Sequence, residues 1–110
     1  MKNDLAYIEH ILLSIAKIKE YTKNLSKDDF EQNEMIQDAV IRNIEIIGEA
    51  AKKVSSDLKS SYLNIPWKEI AGMRDKLIHD YMGVDVEVVW KTLETDIPEL
   101  EILLKEIDIP

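Results

Sequence analysis

The sequence predicts an all-α fold, an antiparallel bundle of four to five helices. Apolar residues recur every three or four positions along most of the 110 residues, which is the spacing of an amphipathic helix. The chain has three Gly and three Pro, so few positions favour turns. Its length and the lack of a linker-like stretch predict a single domain over residues 1–110.

Two long helices are predicted in the first half of the chain. The first runs from about Asp4 to Asn24, and the second from about Lys27 to Leu58, with Ser26 placed to cap its N-terminus. Because the connection between them is short, we expect the two helices to pack antiparallel.

Polar and small residues interrupt the apolar face of the second helix. Asn43 lies in the middle of that face, where a structural hydrogen bond in the bundle or at a dimer interface is favoured over direct catalysis. Gly48, Ala51 and Ser55 follow one another at one-turn spacings. This strip predicts a place where another helix approaches closely.

A third helix is predicted over residues 66–81, because Pro66 suits a first helical turn and Gly83 offers a stop. At about 100° per residue, Arg74 points into the middle of the apolar arc of this helix. An unpaired guanidinium costs several kcal/mol to bury, so Arg74 must be paired, lie at a subunit contact or line a cleft. We expect it to face Asn43, the other polar residue on a core stripe.

A fourth helix is predicted from Asp85, as its cap, to about Ile107. Its helical period continues through Pro98. Proline removes a backbone donor and disfavours helical angles in the residue before it, so this helix should be kinked or split at Pro98.

Composition limits the class of protein. The net charge of −8 argues against broad nucleic-acid binding, and hence DNA binding, although Lys68, Arg74 and Lys76 cluster locally. There is no Cys and the two His are far apart, so neither a metal site nor a cofactor is predicted. No apolar run reaches the roughly 20 residues that span a membrane, and no signal peptide precedes the first helix. We expect a soluble, cytoplasmic protein.

The side chains on the third helix suggest phosphate chemistry. On an ideal helix His79 lies about 140° from Arg74, Asp75 shares the face of His79, and Tyr81 returns to within about 20° of Arg74. A cation, an imidazole and a phenol could hold a phosphate and transfer protons. Arg74 and His79 would meet on one substrate through the reach of the Arg, a distorted helix end, or a second copy across a dimer cleft. The plain alternative is a surface ion pair on an ordinary helix.

The spacing of Arg74, His79 and Tyr81 resembles the R-x-x-x-x-H-x-Y signature of the HEPN superfamily, and specifically of its HepT-like toxins. The flanking residues 65–67 and 71–73 are also similar to this family, as are residues 40–43, 46–50 and 89–90. The resemblance covers most of the chain.

This resemblance implies a HEPN-like helical homodimer that acts as a metal-independent endoribonuclease, in which the RNA 2′-hydroxyl attacks its own phosphate. It assigns proton transfer to His79, phosphate binding to Arg74 and an orienting role to Asp75. It further implies a toxin–antitoxin module, in which a small nucleotidyltransferase antitoxin silences the toxin by adenylylating Tyr81. The competing hypothesis, which the acidic balance favours, is a non-catalytic dimeric helical module that binds a partner protein or a nucleotide, with Arg74 holding an anion.

Overall fold

The structure, a computed structural model, describes residues 3–77, 83 and 85–107. Within these residues every regular element is helical, which confirms the all-α prediction. The helices are α1 (Asp4–Tyr21), α2 (Lys27–Glu31), α3 (Glu34–Lys53), α4 (Ser56–Ser61), α5 (Trp67–Ala71), α6 (Met73–Leu77), α7 (Val86–Lys91), a π-helical segment (Thr92–Asp96) and α8 (Ile97–Lys105). Predictions that involve Ile78, His79 and Tyr81 lie outside the described residues.

The core is built around the pairing of α1 with α3. The apolar stripe that the sequence predicts on α1 is buried, and so is the facing stripe of α3 (Ile8, Ile11, Ile15 and Ile18 against Val40, Ile44, Ile47 and Ala51). α5 and α6 also pack on α3, while α8 packs on α1. α3 is therefore the element that connects the α1 side of the core to the segment carrying Arg74.

The second predicted helix, from Lys27 to Leu58, is divided into three. Asn33 ends the first part, because its side chain accepts a hydrogen bond from the N–H of Ile36 at 3.0 Å and so begins α3. Ser55 begins α4 in the same way, accepting from the N–H of Leu58 at 3.1 Å. Local side-chain caps of this kind compete with continued helix. The prediction of one long helix is therefore wrong in its continuity.

The short helix α2 is held by one aromatic side chain. Phe30 is fully buried, and its ring centroid lies 5.3 Å from that of Trp90 in α7. A five-residue helix has little stability of its own, so this tertiary contact fixes its position.

A buried carboxylate ties the start of α1 to the start of α4. Asp4 accepts hydrogen bonds from the backbone N–H of Ser55 at 2.8 Å and from its hydroxyl at 2.6 Å. Burial acts to raise the pKa of Asp4, but the two Ser55 hydrogen bonds and nearby positive charge, including that of Lys59, together hold the pKa below its ordinary value. The ionised form of Asp4 is therefore part of the folded state.

The last helix is irregular just before Pro98, where a kink or a split was predicted, but it is not split. Its backbone stays helical from α7 to α8, but residues Thr92–Asp96 form a π segment in which Ile97 donates its N–H to the carbonyl of Thr92. Pro98 cannot donate to the carbonyl four residues back, and its ring would clash with that carbonyl in a regular α-helix. The wider turn accommodates the proline without ending the helix.

None of the helices formed by the described residues is long and apolar enough to cross a bilayer.

Candidate functional site

The helix that carries Arg74 is broken at Gly72. α5 ends at Ala71 and α6 begins at Met73, with Gly72 capping the first and donating its N–H to the carbonyl of Lys68. The prediction of one continuous helix over 66–81 is therefore wrong. The side-chain directions calculated at about 100° per residue do not hold across the break at residue 72. Met73 and Leu77 occupy the core, whereas the side chain of Arg74 is 49% exposed. Of the three settings expected for Arg74, the structure shows a cleft with a paired charge.

A close helix approach positions this cleft. A Cβ added at Gly48 of α3 would lie 3.1 Å from the carbonyl oxygen of Ala71 and 3.4 Å from that of Ile70. Gly48 thus lets the C-terminal end of α5 rest against α3, which confirms the packing role predicted for Gly48, whereas Ser55 of the same strip lies beyond α3 and caps α4. Arg74 follows three residues after Ala71, so this contact sets the distance between α3 and the Arg74 backbone.

Arg74 forms an ion pair across that junction. Its Nε donates a hydrogen bond to Oε2 of Glu45 at 2.6 Å, and its Nη1 lies 4.0 Å from Oδ1 of Asp75. The Glu45 side chain is 29% exposed. Glu45 stands one turn before Gly48 on α3, so the ion pair and the close approach are neighbours on the same helix face.

The ion pair lines a polar cleft of about 360 Å³ between α3 and the α5–α6 segment. Its lining includes three basic and three acidic side chains (Arg42, Lys52 and Arg74; Glu45, Glu49 and Asp75). The charges in the cleft balance, although the whole chain carries −8. A phosphate in the cleft therefore meets less repulsion than the net charge of the whole chain implies.

Asn43 does not form the contact expected with Arg74. It is 5% exposed, lies in the core rather than in the cleft, and donates its Nδ2 hydrogen to the carbonyl of Ala39 at 2.9 Å. Its Oδ1 is buried with no hydrogen-bond partner among the described residues. The reason is geometric: Arg74 lies on the cleft side of α6, where Glu45 is the α3 residue within reach. A hydrogen bond to its own helix fits the structural role favoured for Asn43.

The remaining motif residues are placed only in part. The side chain of Asp75 is 84% exposed beside Arg74 at the cleft. His79 and Tyr81 lie outside the described residues. Of the described residues next to them in the sequence, Asp85 donates its N–H to the carbonyl of Leu77 at 2.9 Å.

A second hollow, of about 220 Å³, lies between α5–α6 and α8. Its floor is apolar (Ile70, Met73, Leu100 and Leu103), and its rim carries three acidic side chains with Lys76 as the basic one (Glu69, Asp96 and Glu99). This excess of negative charge is unfavourable for binding an anion, so we assign the candidate site to the cleft of Arg74. Lys68 and Lys76, which the sequence groups with Arg74, do not line that cleft.

Among the described residues, no cluster of His, Asp or Glu could hold a metal ion. The acidic side chains of the cleft each lie beside a basic one: Glu45 pairs with Arg74, and Glu49 pairs with Lys52 at 3.4 Å. Carboxylates paired in this way are suited to orienting the Arg and Lys side chains rather than to binding a metal ion.

Sequence reasoning missed Glu45 and Arg42. Both are charged residues of α3, Arg42 exposed and Glu45 partly buried, and charged residues on a helix are ordinarily solvated. One signal was available for Glu45: it precedes Gly48 by three residues, so it shares the face along which another helix was predicted to approach.

A helical bundle with a half-exposed, carboxylate-held arginine in a polar cleft is an all-α protein equipped to bind an anion. The chain belongs to the HepT-like family, described as Ribonuclease HepT-like, which matches residues 11–107. It is thus a member of a ribonuclease family.

Named relatives agree with this placement. A Caldanaerobacter subterraneus protein named as a candidate RNase, TTE0752, is 45% identical over 97% of this chain and 96% of its own length. A probable ribonuclease HepT of Thermococcus cleftensis is 50% identical over 86% of each chain. A Methanocaldococcus jannaschii protein, named as a gamma-glutamylcyclotransferase and candidate RNase, is 50% identical over 98% of this chain but 51% of its own length. No solved structure is significantly similar to the chain.

Proposed function

We propose that this protein is the toxin of a toxin–antitoxin module and a metal-independent endoribonuclease of the HEPN type. Family membership supports a ribonuclease. The observation that carries the site assignment is the Arg74 guanidinium, half exposed in a polar cleft and held there by Glu45. The cleft is lined by Arg74 and Asp75 of α6, and His79 follows Arg74 by five positions in the sequence.

The proposed reaction uses the RNA as its own nucleophile. The 2′-oxygen forms a bond to the adjacent phosphorus, the bond from phosphorus to the 5′-oxygen breaks, and a 2′,3′-cyclic phosphate results. A base must take the proton of the 2′-hydroxyl, and an acid must protonate the departing 5′-oxygen. His79 supplies proton transfer, and Arg74 binds the phosphate oxygens on which charge develops. Asp75 orients either the His79 or the Arg74 side chain. No metal or cofactor takes part.

Regulation is proposed to act through Tyr81. A small nucleotidyltransferase antitoxin would join the Tyr81 oxygen to the α-phosphorus of ATP, with pyrophosphate as the leaving group. The added phosphate would find a charge partner in Arg74 and so occupy the place of the substrate phosphate. Both proteins would act in the cytoplasm.

The experiment is RNA cleavage by wild-type protein, Arg74→Ala and His79→Ala, with and without EDTA. Loss of either residue should lower cleavage about a hundredfold or more, while EDTA should have no effect. Lys68→Ala is the matched control, since it removes a nearby cation that does not line the cleft. Wild-type cleavage by His79→Ala, or cleavage abolished by EDTA, would refute the proposed mechanism.

Mixing the two variants tests the proposed homodimer. If each site takes Arg74 from one copy and His79 from the other, a mixed dimer retains one intact site and recovers part of the activity. If each site lies within one copy, the mixture stays inactive, and the shared site is excluded.

A further inference from the structure

Glu45 forms the shortest contact in the cleft, and nothing in the motif assigns it a role. Its Oε2 lies 2.6 Å from Nε of Arg74, so the bond connects the long helix α3 to α6. We propose that Glu45 is a positioning residue, which holds the Arg74 guanidinium so that its terminal nitrogens face the RNA phosphate. This inference rests on the proposed function and adds to it a residue outside the motif.

The geometry of the bond leaves the phosphate-binding edge of Arg74 available. Glu45 accepts its hydrogen bond from Nε, whereas phosphates are bound in a planar, two-point manner by adjacent guanidinium nitrogens. The next carboxylate oxygen, Oδ1 of Asp75, is 4.0 Å from Nη1, which is too far for a hydrogen bond. Within the described part of the chain, Nη1 and Nη2 thus remain for a substrate.

Arg74 needs such a support because its helix is interrupted just before it. α6 begins at Met73, directly after the break at Gly72, so Arg74 lies in the first turn of α6. An arginine side chain has four rotatable bonds, and half of this one is exposed to water. A partner on α3, whose position relative to α5 is set by the contact at Gly48, restricts these rotations before RNA binds.

Glu45 could have the opposite role and compete with the RNA phosphate for Arg74. In that role it repels RNA and keeps Arg74 paired until the substrate displaces it. The two roles predict opposite signs for Glu45→Gln. A competitor, once neutralised, gives faster cleavage and tighter binding. A positioning residue, once neutralised, gives a drop in kcat/KM of about tenfold or more, because a misplaced binding group loses transition-state contacts.

Glu49→Gln is the matched control. Glu49 is one turn further along α3, lines the same cleft and pairs with Lys52 instead of Arg74. Both variants remove one negative charge from the cleft, so any general relief of repulsion toward RNA is common to them. We expect Glu45→Gln to lower kcat/KM much more than Glu49→Gln does. Similar melting temperatures for the two variants would show that global stability is not the cause.

A double-mutant cycle with Arg74→Lys tests whether Glu45 acts through Arg74. Lysine lacks the guanidinium Nε–H group that donates to Glu45, so Glu45 cannot orient a lysine in the same way. Glu45→Gln should therefore cost much less in the Arg74→Lys background than in the wild type. An equal loss in both backgrounds would overturn the inference.

A readout without cleavage separates this inference from the proposed function. The Nε–Hε NMR signal of Arg74, identified by its loss in Arg74→Lys, should move in Glu45→Gln and stay in place in Glu49→Gln. Titration with inorganic phosphate should then show weaker binding at this signal in Glu45→Gln. If wild-type protein cleaves no RNA, the proposed function fails while this titration still decides the role of Glu45. Equal or tighter phosphate binding in Glu45→Gln would overturn it.

Discussion

Gly48→Ala should destabilise the protein, although alanine is the better helix former. The substitution by itself favours α3 by about 0.8–1.0 kcal/mol. The new Cβ, however, would stand 3.1 Å from the Ala71 carbonyl oxygen and 3.4 Å from that of Ile70, so this backbone must move by a few tenths of an ångström. Ile70 is 2% exposed, which resists that movement. Overpacking typically costs about 1–3 kcal/mol, so we expect a net loss of about 1 kcal/mol.

Gly72→Ala is the matched control, because it makes the same chemical change in open space. Gly72 has a φ of −96°, which alanine adopts without strain, and its added Cβ would meet Lys68 O at 3.6 Å, an ordinary contact. It should therefore leave stability unchanged or raise it by about 0.4–1 kcal/mol. Urea unfolding of both variants, with equal m-values, measures the difference.

The two glycine variants should also differ in cleavage. Moving the end of α5 away from α3 changes the separation between Arg74 and Glu45, so Gly48→Ala should lower RNA cleavage more than its small loss of stability explains. If Gly48→Ala is as stable as Gly72→Ala, the close approach is not tight and the reasoning fails. If it is less stable but cleaves RNA normally, the contact does not position the cleft.

The remaining predictions concern Asp4 and Tyr81. Asp4→Asn should cost about 1–3 kcal/mol in urea unfolding, because a charged acceptor of two Ser55 hydrogen bonds is lost. Since the pKa of Asp4 is lowered in the folded state, its contribution is complete above its unfolded pKa of about 4 and disappears as the pH falls further. Wild type should therefore lose more stability than Asp4→Asn below that pH, and parallel pH profiles would contradict this. Tyr81→Phe should still cleave RNA but gain no mass when incubated with a nucleotidyltransferase partner and ATP. Inactive Tyr81→Phe, or full modification at another residue, would show that Tyr81 has a different role.

Apolar spacing was sufficient to predict the helical core, because burial of one stripe per helix dominates the free energy. Apolar residues at helical spacing on α1 and α3 do form the core, and the packing role predicted for Gly48 is confirmed, although the buried Ile41 was not predicted. The end of α1 was placed three residues too late. Asn24 has a φ of 59°, a left-handed conformation that follows a helix end and leaves little trace in the apolar spacing.

The site was harder to predict because small local effects decide it. Pro66 and Gly83 predict the outer limits of one helix, but Gly72 ends α5 within those limits, and a change of phase there moves Arg74 from the apolar arc to the cleft. Asn33 likewise divides a helix whose apolar spacing looks continuous. Such breaks depend on single hydrogen bonds worth about 1 kcal/mol, which an average over apolar spacing does not resolve.

The break at Gly72 has a consequence for the motif as a transferable unit. Arg74 stands two residues after this break, so its direction depends on how α6 joins α5, on the buried Met73 and Leu77, and on the bond from Arg74 to α3. The stretch that begins at Met73 therefore does not by itself encode the geometry of its arginine. Grafted onto another helical scaffold, it would carry the residues without their arrangement. The smallest portable form of this cleft is a pair of segments, α3 with its Glu45 and Gly48 together with the α5–α6 joint.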